Sequence, residues 1–254
     1  MNVQIPDQLH GTWAYLEAHQ WLWRTGRIKW LLWPFLCSLL LLPAYGYGVY
    51  WGTDTLTTQL TAWFGWQTDG VGYWVMLPFI LVIVLLLGYI LLKNTIMLLC
   101  APLNALLADA VITDQLGAGS AQSLGELGGS VMRAVGMTLL ALLLGLVTTI
   151  GLLFLGSIPV VGTLAALILG LLIQSFLAAW GFFDPVYERA GVGVWQSFTR
   201  SVRLTPRLIS SGLPFVLLFQ IPLIGWTLAP SYGTVAGAIA ACRLHQQGQL
   251  THAP

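Results

Sequence analysis

From Ala134 to Phe183 the chain runs for 50 residues without a charged side chain. A helix needs about 20 apolar residues to cross a bilayer, so this run is long enough for two passes and must fold back on itself. The fold-back point is Ile158-Pro159-Val160-Val161-Gly162. The same pattern returns as Ile221-Pro222-Leu223-Ile224-Gly225. Soluble loops are polar because their backbone groups need water. A turn built from Ile, Pro, Val and Gly instead predicts a helical hairpin with its tip buried in protein or membrane.

Composition narrows the class. Charged residues make up only 7% of the 254 residues and hydrophobic ones 57%. A soluble domain carries roughly 25% charged residues. So few charges cannot coat a soluble globule of this size, and an all-α integral membrane protein is expected. The net charge of +1 identifies no partner, and no nucleic-acid partner is expected. Cys37, Cys100 and Cys242 lie in or beside apolar runs, which argues against a disulfide framework. The first 29 residues contain no apolar core of the signal-peptide kind, so the first hydrophobic segment is expected to be retained.

Read in order, residues 8–24 form an aromatic-rich, weakly amphipathic interfacial helix with Leu9, Trp13, Leu16 and Trp23 near one face. A membrane helix follows over 30–53, bent by Pro43. Residues 54–69 form a polar loop. A long second membrane helix spans 70–108, with Pro102 interrupting it. Residues 109–133 read as a Gly- and Ser-rich loop with a short interfacial piece. The first hairpin covers 134–183, a cytoplasmic amphipathic helix 186–207, and the second hairpin 208–242.

Pro159 and Gly162 make the first hairpin turn, and Pro222 and Gly225 the second. Gly162, Ala166 and Gly170 recur every fourth residue after the first turn; Gly225, Ala229, Gly233, Gly237 and Ala241 do so after the second. Such faces admit a close neighbour. The arm over 208–220 is too short to cross about 30 Å of hydrocarbon upright, so the second hairpin is expected to be re-entrant. Repeat logic extends that expectation to the first hairpin, although its arm length does not require it. In a re-entrant hairpin the returning arm offers N–H groups, with Thr163 and Thr227 adding hydroxyls, which can attract an anion. The plainer role is a packing turn, favoured by the uncharged tips.

With the N-terminus in the cytoplasm, all ten Lys and Arg residues fall on the cytoplasmic side and both termini are cytoplasmic. The twelve tryptophans fit interfacial belts.

Several blocks in order resemble one family. They are Gly26 to Pro34, Ala101-Pro102-Leu103-Asn104-Ala105-Leu106-Leu107-Ala108-Asp109, the first Ile-Pro turn, Phe183-Asp184-Pro185, and the second Ile-Pro turn with its Ala/Gly-rich arm. The set resembles the CysZ-type sulfate transporters of bacteria, grouped with the etoposide-induced-protein-2.4 family. The resemblance implies two long membrane helices and two partly penetrating hairpins. It also implies a bacterial inner-membrane location, sulfate entry for cysteine synthesis, and a homo-oligomer. It implies further that the loop before the first membrane helix binds sulfate. The family pattern there is Gly-Leu/Ile-Arg-Arg, whereas this chain has Gly26-Arg27-Ile28-Lys29. Lys29 lacks the bidentate fork that Arg offers an oxyanion.

Gly26, Arg27 and Lys29 are thus candidate anion-binding residues. Helix-flanking contacts to lipid phosphate are their plainer role. Arg200, Arg203 and Arg207, read as one basic helical face, are the second anion-binding group, with a headgroup-facing stripe as the plainer role. Pro206 is expected to end or bend their helix. Lys93 is expected to snorkel to the interface, with pore lining as its other role. Asn104 is expected to satisfy backbone groups freed at Pro102, and Asp184-Pro185 to begin a helix. No catalytic set, metal site or cofactor motif is present, and His10, His19, His245 and His252 lie in terminal segments. The spanning helices have almost no ionisable residues for a proton relay, which favours a passive pathway for sulfate or a similar small inorganic anion. The rival expectation is a non-transporting membrane structural or interaction protein of the same family.

Overall fold

The structure, a computed structural model, describes residues 10–66, 70–117 and 124–250. Asp69, His252 and the start of the expected 8–24 helix lie outside the described residues, as do the side chains of His10 and Glu126. The described residues form helices and no strands. The order is α1 (His10–Arg24), a 3-10 turn (Arg27–Leu31), α2 (Leu32–Trp63), α3 (Val71–Leu99), α4 (Ala101–Leu116), α5 (Leu124–Gly156), α6 (Val161–Arg189), α7 (Val194–Arg203), α8 (Thr205–Phe219) and α9 (Ile224–Gln246).

Among the described residues, four helical stretches are long and apolar enough to cross a membrane: Arg27–Trp63, Val71–Leu99, Gly128–Gly156 and Val161–Arg189. On α5, Leu139, Leu143, Val147, Ile150 and Phe154 are exposed in a stripe spaced by three or four residues, the pattern of a lipid-facing helix. The chain is an all-α, multi-pass membrane protein.

Several boundaries follow from local chemistry. The first membrane helix continues past Thr53 to Trp63. Thr57 donates its hydroxyl to the Thr53 carbonyl (2.7 Å) and Thr61 to that of Thr57 (2.9 Å), so the Thr57 and Thr61 hydroxyls are satisfied within the helix. The second long segment breaks at Cys100, with Pro102 in the first turn of α4. Much of the expected 109–133 loop is helix: α4 runs to Leu116, where Gly117 closes it at φ 62, and α5 begins at Leu124.

Asp184 and Pro185 do not begin a helix, because α6 passes through both. The Asp184 carboxylate is engaged by Arg133 instead of capping backbone N–H groups. The expected 186–207 helix is likewise divided. Residues up to Arg189 belong to α6, Gly191 turns the chain at φ 70, and α7 meets α8 at a 99° bend. Pro206 in the first turn of α8 accounts for that bend, since it cannot continue the hydrogen bonding of α7.

Both hairpin turns have one geometry. Val160 and Leu223 each sit at φ 61, rare for residues with a Cβ. Each is the centre of a γ-turn: the Val161 N–H donates to the Pro159 carbonyl (2.8 Å) and the Ile224 N–H to that of Pro222 (2.7 Å). A Cβ on Gly162 would lie 2.2 Å from the Leu155 carbonyl oxygen, and one on Gly225 1.8 Å from that of Leu218. Only glycine allows the returning helix to start so close to the arriving one.

At about 1.5 Å per residue, the 15 residues of α8 span about 22 Å, short of the roughly 30 Å hydrocarbon core. The 33 residues of α5 and 29 of α6 are each long enough to cross. The hairpins therefore share a turn but not an arm length.

The core lies where the last four helices meet α1 and α4. Trp180, Phe183 and Tyr187 of α6 and Phe215 and Phe219 of α8 are almost fully buried there. A Cβ on Gly233 or Gly237 of α9 would lie 2.6 or 2.3 Å from Phe182, and one on Gly212 of α8 would lie 1.8 Å from the Ser175 carbonyl oxygen.

Candidate functional site

Side-chain bonds tie several charged residues together across the helices. Trp33 Nε1 donates to the Leu99 carbonyl (3.1 Å), pinning the start of α2 to the end of α3. Arg133 and Asp184 bracket the uncharged run and lie equally far along the chain from the Ile158-Pro159 turn. They meet at the hairpin base in a two-pronged ion pair, Nε to Oδ2 at 2.7 Å and Nη2 to Oδ1 at 2.8 Å. Arg189 of α6 pairs with Asp109 of α4, and Arg243 of α9 with Glu17 of α1. Tyr15 donates its hydroxyl to the Ser211 carbonyl (3.0 Å), joining α1 to α8. Burial raises the Tyr15 pKa, so it remains a neutral donor.

A cavity of about 110 Å³ lies between α3, α4, α5 and α6, to which α8 adds Phe215 and α9 adds Thr234. Asp109, Asp184, Glu188 and Arg189 line it, and Ser130 donates its hydroxyl to Glu188 at 3.1 Å. Lys93 and Gln174 also line it, and Lys93 Nζ donates to Gln174 Oε1. From Gln174 to Glu188 the wall follows α6 for roughly 21 Å. The cavity thus runs from a charged end toward an amide and a lysine within the apolar part of the bundle.

Its charges are unequally satisfied. The Arg133 and Arg189 guanidiniums each have a carboxylate partner. Lys93 is 8% exposed and forms no ion pair among the described residues. Asn104 Oδ1 and Thr234 Oγ1, on buried side chains lining the same cavity, have no hydrogen-bond partner. Among the described residues, no group of three or more His, Cys, Asp or Glu side chains is arranged to hold a metal.

None of the six anion-binding candidates lines this cavity. Gly26 is left-handed at φ 67, and its N–H donates to the Trp23 carbonyl at 3.1 Å. Arg27 lies over the Trp21 and Trp30 rings, 5.0 and 5.9 Å from their centroids. Lys29 is exposed, and the neighbouring Arg24 reaches Asp114 at 3.4 Å. Arg200, Arg203 and Arg207 do not share one helical face: the first two are on α7 and the third follows the bend on α8. Arg200 donates to the Leu250 carbonyl (3.0 Å), and Arg207 lines a separate small pocket with Gly11 and Arg243.

Other expectations are corrected by the packing. Lys93 does not snorkel, because Gln174 holds its ammonium inside the bundle. The Asn104 side chain does not satisfy the helix break; its backbone N–H donates to the Cys100 carbonyl (2.8 Å) while its amide oxygen is buried and unpaired. Thr163 and Thr227 donate to the Gly156 and Leu223 carbonyls at 3.1 and 2.7 Å, so their hydroxyl protons are committed to the turns.

Sequence reading overlooked Gln174, Thr234 and the Arg133–Asp184 pair. Two signals were available. Gln174 is the lone amide in the uncharged run, and Arg133 and Asp184 flank that run symmetrically about its turn.

The fold and site define a polytopic helical membrane protein with an ion-paired cavity at one end. The sequence profile of the Sulfate transporter CysZ/Etoposide-induced protein 2.4 family matches residues 14–230, and the chain belongs to that family. No individually curated protein matches it significantly.

Proposed function

We propose that the chain is a passive membrane pathway for a small inorganic anion of the sulfate type. The observation that carries this reading is the cavity, which runs from an ion-paired end lined by Asp109, Asp184, Glu188 and Arg189 to a buried lysine without a counter-charge. An anion pathway requires cationic and polar groups inside an otherwise apolar bundle. Family membership supports sulfate as the cargo and sulfur assimilation into cysteine as its use.

The distribution of Lys and Arg supports an inner-membrane orientation with both termini in the cytoplasm. In that orientation the cavity opens toward the cytoplasm, and the protein works as a homo-oligomer in the lipid bilayer. Arg27 and Lys29 beside Gly26, with Arg200, Arg203 and Arg207, form the basic surface that concentrates anions near the bundle end. The described helices have no chain of ionisable groups between Gln174 and the hairpin tips, which supports passive conduction over proton coupling.

A second reading, a membrane structural or interaction protein, is favoured by the Gly26–Lys29 loop. The Gly26 N–H is bonded to Trp23, Arg27 is stacked on two indoles, and Arg24 is paired with Asp114. Radiolabelled sulfate uptake into proteoliposomes separates the readings. The transport reading expects saturable uptake by wild type and slower uptake by Arg27→Ala and Lys29→Ala. Uptake no greater than in empty liposomes overturns transport and leaves the structural reading.

A further inference from the structure

The geometry points to an anion-binding subsite at the inner end of the cavity, with Lys93 as its charge and Gln174 as the side chain that holds Lys93 in place. The inference rests on the anion-pathway reading and names the residues at which the anion pauses. Lys93 and Gln174 come from different helices, α3 and α6, and touch where both are surrounded by apolar sequence. A buried cation without an opposite charge is costly, and an arriving anion supplies the missing partner. Gln174 fixes the ammonium without neutralising it. A carboxylate in its place would make an internal ion pair and leave no net charge for a ligand.

Other lining groups fit the same ligand. The Thr234 hydroxyl and the Asn104 amide are buried, line the cavity and leave polar atoms unpaired. Half a turn of the Asn104 amide presents two N–H donors in place of its oxygen. The class of ligand is therefore a small, fully ionised inorganic oxyanion, whose oxygens accept from an ammonium, an amide and a hydroxyl. The carboxylates Asp184 and Glu188 lie ten and fourteen residues beyond Gln174 on α6, roughly 15 and 21 Å away along the helix. They are too far along that helix to neutralise Lys93 directly.

Equilibrium binding of radiolabelled sulfate to the purified full-length protein in detergent, at constant ionic strength, tests the subsite. Thermal unfolding of each variant serves as the folding control. Gln174→Glu is the diagnostic change. If Lys93 is only a packing residue, an acidic partner strengthens its bond and leaves sulfate binding unaltered. If Lys93 is the anion's charge, Gln174→Glu weakens sulfate binding at least tenfold while the unfolding temperature holds or rises. Lys93→Gln should lose binding to a similar extent, and Lys93→Arg should retain most of it. Thr234→Val should raise the unfolding temperature, because it removes an unpaired buried hydroxyl, yet weaken sulfate binding a few-fold. Wild-type binding by folded Gln174→Glu overturns the subsite and leaves the transport reading standing. Wild-type protein that neither binds sulfate nor carries it into liposomes overturns the anion-pathway reading, and the subsite with it.

Discussion

The two Ile-Pro-x-x-Gly hairpins have the same turn and differently packed arms. Val160 and Leu223 share φ 61, and both turns close with a carbonyl-to-amide bond across that residue. Both tips are exposed, Val160 and Val161 at 72% and 74% and Leu223 and Ile224 at 40% and 60%, but α5 behind the first displays an apolar stripe outward. After the second turn, Trp226 is buried and α9 continues with nearly every residue packed. A turn motif sets how a chain reverses. The faces of its arms set what it reverses into. The α5 face is Leu- and Val-rich and suits lipid, whereas the α9 face is Gly- and Ala-rich and suits another helix.

The bases of the hairpins differ too. The first is locked by Arg133 and Asp184, while neither α8 nor α9 contains a carboxylate. Asp184→Asn should therefore cost about 3 kcal/mol or more, because it leaves a half-buried guanidinium without its counter-charge. The double change Arg133→Gln with Asp184→Asn should recover part of that loss. Denaturant titration in detergent measures both, and a neutral Asp184→Asn would show that the first hairpin is held by its apolar contacts alone.

The small-residue faces give the next largest contrast. Gly237→Leu forces a side chain into Phe182, whose Cβ is 2.3 Å from the position of a new Cβ, and should cost about 3 kcal/mol. Gly170→Leu meets only the movable tip of Leu152 at 3.3 Å and should cost about 1 kcal/mol or less. Equal losses in thermal unfolding would break the distinction between the two returning arms.

The turns themselves should respond more weakly. Val160→Gly removes the positive-φ strain of the γ-turn, about 1–3 kcal/mol, against a glycine entropy cost of roughly 0.5–1 kcal/mol. It should raise Tm slightly. Leu223→Gly relieves the same strain but also deletes a side chain that is more than half covered, so it should be neutral or destabilising. Thr163→Val and Thr227→Val each remove one hydroxyl-to-carbonyl bond at exposed turns and should have the smallest effect, under about 1 kcal/mol. Matching small shifts would confirm that the turns are alike even though their surroundings are not.

Much of this organisation is legible without coordinates. The absence of charge from Ala134 to Phe183 requires a membrane hairpin, and the repeated Pro and Gly locate both reversals. The ordered blocks from Gly26 to the second Ile-Pro turn point to the family. Local reading failed where tertiary partners overrode local preference. Asp184-Pro185 reads as a helix start until Arg133 claims the carboxylate. Lys93 reads as an interfacial lysine until Gln174, 81 residues away in sequence, holds it inside.

Amino-acid order alone determined the membrane class, the two reversals and the close approach of helices at the α9 glycines, because hydropathy, proline stereochemistry and the missing Cβ act locally. Only the tertiary structure decided that α5 of the first hairpin is peripheral while α9 of the second is buried, and that a cavity forms beside Lys93. Those outcomes depend on which helix faces meet across long sequence separations, and a one-dimensional pattern does not specify those pairings.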